Sequence, residues 1–173
     1  VQAKGSISGR LFSKVAGRVS FSGTERDGTV ANLATGAEVN DLSNLGVRGQ
    51  ALIAPSDSVA ILASFDHTRQ RPEGYTQVVA GVAPTLRPAN RQYPEIAADL
   101  GYAAPSFNAF DRVTDIDTAS RSYQDLGGSS LNIDWKVGSG LVTSTTAWRY
   151  WDWTPANDRD FTGLAVTTVS AGT

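Results

Sequence analysis

The chain has no cysteine and no methionine, a single histidine, and nearly balanced charge, with 15 Lys and Arg against 17 Asp and Glu in 173 residues. Without cysteine there is no disulfide framework, no thiolate metal site and no cysteine nucleophile. One histidine excludes most His-based metal cages and any acid–base scheme that needs two. A formal charge of -2 argues against the basic face with which nucleic-acid binders neutralise phosphates. No apolar run approaches the roughly 18 residues of a membrane-spanning helix. At 40% apolar and 18% charged residues, the composition is not that of a disordered chain either. Val1-Gln2-Ala3-Lys4-Gly5 already reads as strand, and neither a basic n-region nor an apolar h-region follows, so no signal peptide is expected within the chain. The chain is therefore expected to be a piece of something longer, cut at both ends.

What the sequence does contain is alternation with a period of two. In 15–24, Val15, Gly17, Val19, Phe21 and Gly23 share one parity, while Ala16, Arg18, Ser20, Ser22 and Thr24 share the other. Successive strand side chains point to opposite faces, so this is a ribbon with an apolar and a polar side. Segment 45–54 sets Leu45, Val47, Ala51 and Ile53 against Arg48 and Gln50. Segment 59–69 sets Val59, Ile61 and Phe65 against Ser64, Asp66 and Thr68, and 126–136 sets Leu131, Ile133 and Trp135 against Asn132, Asp134 and Lys136. Segments 141–153, of unclear parity, and 1–9 complete about six strands. The expected class is all-β, an antiparallel meander.

The connections are sorted by length. Short links at 9–14, 55–58 and 138–140 alternate with long segments at 25–44, 70–123 and 154–173. In an antiparallel meander, alternate connections lie at the same end, so tight turns gather at one end and long loops at the other. Loops beyond about 12–15 residues are uncommon in compact domains, whereas transmembrane β-barrels pair short periplasmic turns with long extracellular loops. Strand runs of about ten residues are long enough to cross the hydrocarbon layer when tilted. Phe12, Trp135, Trp148, Tyr150, Trp151 and Trp153 fall near strand ends, where interfacial girdles place aromatic rings. Sandwiches and soluble barrels also alternate, and a soluble all-β binding module stands as an alternative.

Several stretches resemble the barrel domain of TonB-dependent receptors, outer membrane uptake proteins of Gram-negative bacteria. They are Gly5-Ser6-Ile7-Ser8-Gly9-Arg10-Leu11 with Ala16-Gly17-Arg18-Val19-Ser20-Phe21; Asn40-Asp41-Leu42-Ser43-Asn44-Leu45-Gly46-Val47-Arg48-Gly49-Gln50 with Pro55-Ser56-Asp57; and Thr143-Ser144-Thr145-Thr146-Ala147-Trp148-Arg149-Tyr150 with Asn157-Asp158-Arg159-Asp160-Phe161. Their order carries the resemblance, which covers the chain except 71–122. It implies that residues 1–173 are about a quarter of a barrel of some 22 strands, without the N-terminal plug domain and without the box gripped by the energy-transducing partner. It also implies TonB-dependent uptake of a scarce nutrient such as a ferric siderophore. The implied partners are outer membrane lipid, the protein's own plug, the TonB complex and a small-molecule ligand. A plug-free, porin-like diffusion barrel is the other membrane alternative.

No nucleophile–base pair, metal cluster or phosphate loop stands out, so no catalytic residue, metal or cofactor is expected. Asp115 and Asp117 form a D-x-D able to help hold a hard cation, but read as a solvated loop. Asp158 and Asp160 flank Arg159 and read as an exposed charge cluster. His67 reads as an interfacial or loop-base histidine. Binding is expected of the long 71–122 loop, where Arg71, Arg87 and Arg91 offer bidentate donors to anionic groups and Tyr75, Tyr93 and Tyr102 offer rings to stack on a ligand. Its prolines favour an extended course over a long helix. Arg18, Arg48 and Arg149 are expected to face the barrel lumen and meet the plug.

Overall fold

A computed structural model describes residues 1–74 and 76–166. Six long strands form one antiparallel sheet. They are β1 (Gln2–Phe12), β2 (Val15–Arg26), β5 (Leu42–Ser56), β6 (Val59–Gln70), β8 (Arg121–Val137) and β9 (Gly140–Ala156), and their order in the sheet is β1-β2-β5-β6-β8-β9. Each expected strand is present, and most extend further than the alternation alone marks. The long segments contribute three short strands, β3 (Val30–Asn32), β4 (Glu38–Val39) and β7 (Val113–Thr114), which make a separate sheet in the order β4-β3-β7. Apart from β7 and the start of β8, the described residues of the 71–122 loop hold one short helix, α1 (Tyr93–Asp99), and two single 3-10 turns. Two compact units result, one built by the six long strands and one by the long connections.

The meander is in regular register. Val59 pairs with Trp135, Phe65 with Ser129 and Arg69 with Asp125, while Val47 faces His67 and Arg48 faces Asp66 on the other side of β6. The only irregularities in the pairings of β1 with β2 and of β5 with β6 lie near tight turns, between Arg10 and Phe12 and between Ile53 and Ser56. Such bulges re-aim a strand where pairing ends. The tight turns at 13–14, 57–58 and 138–139 lie at one end, and the long connections all leave from the other. The sheet is not closed into a barrel: β1 and β9 are its edges.

Parity sorts the two faces. On one lie Ile7, Val19, Val47, Phe65, Leu131, Trp135, Val142 and Trp148, each at least two-fifths exposed, with Ile7 at 77% and Trp148 at 62%. No side chain of the six-stranded sheet belongs to an apolar core; the buried large hydrophobics among the described residues, Val30, Val39 and Ile116, are all in the other unit. The apolar band runs from the Val59–Trp135 pair to the level of His67 and Val47. Eight residues at about 3.4 Å each make this roughly 27 Å along the strand. The parity of 141–153 is settled by two hydroxyls: Thr143 donates to Asp134 at 2.7 Å and Thr145 to Asn132 at 2.8 Å. Thr143, Thr145, Arg149, Trp151 and Trp153 therefore line the polar face. This corrects the girdle reading for the last two, because Trp151 Nε1 donates to Gln124 at 3.2 Å on the polar side and stacks with Trp153 at 5.4 Å.

In the second unit β3 is central, antiparallel to β4 and parallel to β7. Two close approaches require glycine. A Cβ on Gly28 would sit 2.5 Å from the Glu38 carbonyl carbon, and one on Gly74, at φ +79°, would sit 2.5 Å from Val39 Cβ. Asn40 and Thr76 clamp two connections together: Thr76 N donates to Asn40 Oδ1 at 2.8 Å and Asn40 Nδ2 to Thr76 O at 3.2 Å.

Candidate functional site

The polar face of the sheet carries a row of charge. Arg48, Asp66 and Arg149 share one level with Ser20, in an open trough that Ser22 and Thr68 also line. Arg149 Nη1 lies 2.7 Å from both carboxylate oxygens of Asp66. The two residues are on β9 and β6, with β8 between them. The arginine reaches across because the intervening position, opposite Asp66, is Gly128. Arg18 Nη2 donates to Ser6 Oγ at 3.3 Å, and Gln50 Nε2 to Ser64 Oγ at 3.4 Å. Arg18, Arg48 and Arg149 thus share the polar face of the open sheet. Asp66, the acid that anchors one of them, was not singled out by the sequence, since it stands 83 residues from Arg149.

The same device operates on the apolar face one residue earlier. His67 pairs with Gly127, and the ring of Tyr150 lies over that glycine, so that its hydroxyl is 2.7 Å from His67 Nδ1. Trp148 packs against Tyr150 with centroids 5.4 Å apart. His67 Nε2 is 3.7 Å from Asp125, whose carboxylate also binds Arg71. His67 is where the sequence placed it, at the base of the loops. A glycine pair inside an otherwise alternating strand was the visible signal, since such residues mark close approach.

The loop residues expected to bind ligand separate into anchors and free arms. Arg71 is an anchor: Nη2 binds Asp125, Nη1 donates to the carbonyls of Gln70 at 2.8 Å and Gln124 at 2.9 Å, and the guanidinium lies 5.4 Å from the Tyr123 ring centre. Tyr102 is also engaged, its hydroxyl donating to Asp115 at 3.1 Å. Burial, helped by that carboxylate, pushes the Tyr102 phenol above its ordinary range. Arg87 and Arg91 are exposed, and Tyr93 opens α1 half-buried. Gln92, not foreseen, shapes this stretch: its side-chain oxygen accepts from Thr85 N at 2.9 Å, and its nitrogen donates to Thr85 O at 2.9 Å. Tyr75 lies outside the described residues.

One acidic cluster corrects its sequence reading. Asp158 is 2% exposed rather than a surface charge. Its Oδ1 accepts from the amides of Asp160 at 3.0 Å and Phe161 at 3.1 Å, while its Oδ2 is buried with no hydrogen-bond partner among the described residues. Burial, with the nearby carboxylates of Asp160 and Asp117, raises this carboxyl above the usual carboxylate range. Among the described residues, no three His, Asp or Glu side chains are arranged to hold a metal ion. No family model, curated protein or solved structure matches the chain.

Proposed function

We propose that the six-stranded sheet is a section of the wall of a TonB-dependent receptor, a transmembrane β-barrel in the outer membrane of a Gram-negative bacterium that imports a scarce nutrient such as a ferric siderophore. The observation that carries the reading is a sheet without an apolar core, whose exposed apolar face and hydroxyl- and arginine-bearing face alternate along every strand. A monomer in water rarely exposes so continuous an apolar surface. Between lipid and a wet lumen, the same alternation leaves each face in a favourable medium. At a strand tilt of 35–45°, the 27 Å band would span about 20 Å of membrane, near the usual height of a barrel's apolar belt. Beyond it on that face come Arg69, Asp125 and Asp152, where the hydrocarbon would end.

In this reading Lys4, Arg10, Arg18 and Arg48 face the lumen on β1, β2 and β5, where acids are scarce, and meet acidic groups of a plug. Uptake then proceeds by ligand capture in the loops and plug, followed by plug movement driven through TonB. The exposed Arg87 and Arg91, with Tyr93, are the ligand-facing candidates left once Arg71 and Tyr102 are recognised as engaged. The apolar face disfavours a soluble binding module. The porin alternative differs in energetics, because diffusion needs no partner.

The absence of cysteine makes the membrane test direct. Single cysteines at Ile61, Ala63 and Phe65 should react with a lipid-soluble maleimide in vesicles, and those at Leu62, Ser64 and Asp66 with a charged one. Labelling without alternation would refute the barrel wall. Uptake of a ferric chelate by cells carrying the whole gene should stop when TonB is deleted; undiminished uptake would favour the diffusion barrel.

A further inference from the structure

Asp158 presents a physical problem. A carboxylate shielded from water needs a hydrogen bond or a countercharge for each oxygen. Its Oδ1 has two backbone amides, but its Oδ2 has neither, and among the described residues no Lys or Arg forms an ion pair with it. The charges of Asp160 and Asp117 that act on it are negative. Asp115 meets the same loop at Gly163, where a Cβ would be 2.9 Å from the Asp115 carbonyl oxygen and 3.0 Å from its Oδ2.

The chain that builds this corner runs Asp158-Arg159-Asp160-Phe161-Thr162-Gly163. Oxygen-bearing side chains recur at the first, third and fifth positions and glycine at the sixth, the spacing with which calcium loops begin. Each turns its oxygen back onto the loop: Asp160 Oδ1 accepts from Thr162 N at 3.0 Å, and Thr162 Oγ1 accepts from Leu164 N at 3.3 Å. The loop departs from that pattern in two respects. The left-handed residue is Phe161, at φ 56°, and no bidentate glutamate follows in the sequence.

We propose that this corner binds a hard divalent cation, calcium in preference to magnesium, through Asp158 Oδ2. Backbone carbonyls and water complete the coordination, and Asp117 and Asp160 supply field rather than ligation. An all-oxygen environment without thiolate or imidazole excludes the softer transition metals. Because no three carboxylates converge, the charge count is low, which places affinity with weak extracellular calcium modules, of order 0.1–1 mM. The smaller magnesium ion, which demands octahedral geometry and sheds water reluctantly, fits a corner of fixed carbonyls poorly. The inference does not depend on what the barrel carries, and a failed transport assay leaves it standing.

Titration calorimetry of the full chain refolded in detergent micelles tests it, with calcium chloride as the probe. One site with half-saturation of order 0.1–1 mM is expected, with weaker binding of magnesium chloride. Asp158→Asn should weaken calcium binding at least about ten-fold, the least that loss even of a group supporting a ligand costs, whereas Asp99→Asn, at the end of α1, should leave it unchanged. Should Asp158→Asn fail to fold, Asp117→Asn, which keeps the buried carboxylate, must still weaken binding several-fold. Absence of saturable binding up to about ten times the expected range, or unchanged affinity in either test variant, overturns the proposal.

Discussion

The glycine pair Gly127-Gly128 should be among the least replaceable features of the sheet, and the structure ranks its perturbations. A Cβ on Gly128 would lie 2.2 Å from the Trp148 carbonyl oxygen and 2.8 Å from Arg149 Cδ. The first of these is backbone, so β9 has to move rather than a side chain. A Cβ on Gly127 would lie 2.7 Å from the Asp66 carbonyl oxygen and 2.8 Å from the Tyr150 hydroxyl. Forcing a methyl into such space costs about 1–3 kcal/mol. The ion pair that crosses Gly128 is worth less, because Arg149 is 57% exposed and pairs so hydrated contribute about 0.2–1 kcal/mol. Gly128→Ala is therefore expected to destabilise more than Asp66→Asn. Urea unfolding in micelles, followed by tryptophan fluorescence, measures both. With slopes of about 1–3 kcal/mol/M, the alanine variant should lower the midpoint by about 1 M. A double-mutant cycle between Asp66→Asn and Arg149→Gln should show coupling in the parent and none in the Gly128→Ala background. Retained coupling there, or a Gly128→Ala midpoint equal to that of the parent, would refute the idea that the arginine reaches β6 only because the intervening position lacks a side chain.

Three further outcomes follow from the loops and their anchors. Because the folded-state pKa of Asp158 is raised, its contribution to stability is present below the ordinary carboxylate pKa and is lost as pH rises through the folded value. In calcium-free buffer, the stability difference between parent and Asp158→Asn should therefore shift in favour of the variant between pH 4 and neutrality, about the range over which such carboxyls titrate, and a difference flat with pH would sink this account. Tyr102 obeys the same sign: its raised phenol leaves stability constant below the ordinary tyrosine value of about 10 and erodes it above. Absorbance titration at alkaline pH should find one slowly ionising tyrosine that disappears in Tyr102→Phe. Replacing Arg71 by alanine leaves Asp125 with His67 as its remaining charge partner and should lower the urea midpoint further than Arg87→Ala does. Arg87→Ala, at an exposed position, should stay within about 0.5 kcal/mol of the parent and alter only ligand binding.

The sheet was legible in the sequence because parity is local: whether Ile61 and Ser64 oppose each other depends only on the two residues between them. The sorting of turns was equally legible, since Gly138-Ser139-Gly140 and Pro55-Ser56-Asp57-Ser58 announce tight links on their own. Contacts that need register were not. Arg149 finds Asp66, and Tyr150 finds His67, across 83 positions, and no local pattern encodes which pairs will share a level. Trp151 and Trp153 misled for the same reason, because closeness to a strand end says nothing of face until one neighbour fixes the parity. Asp158 misled differently: Asp-Arg-Asp looks solvated in sequence, and it belongs to a unit assembled from segments far apart in the chain, whose strands are only two or three residues long.

A sheet without an apolar core cannot owe its order to burial of side chains against one another. What the structure offers instead is ladder hydrogen bonds along strands of 11 to 17 residues, cross-strand hydroxyl and ion pairs on one face, and aromatic contacts on the other. In water those terms compete with solvent, and a net backbone hydrogen bond is worth only about 0.5–1.5 kcal/mol, against roughly 1–2 kcal/mol of backbone entropy per ordered residue. Where one face meets hydrocarbon, the competing water is removed and an unmade ladder bond costs several kcal/mol. The Phe21 ring that covers Gly5 on the edge strand β1, close enough that a Cβ there would come within 2.6 Å of it, shields backbone of this kind. In the proposed barrel wall, the alternation that first marked the strands would also assign each residue its medium, with lipid meeting the apolar face and a wet lumen the polar one.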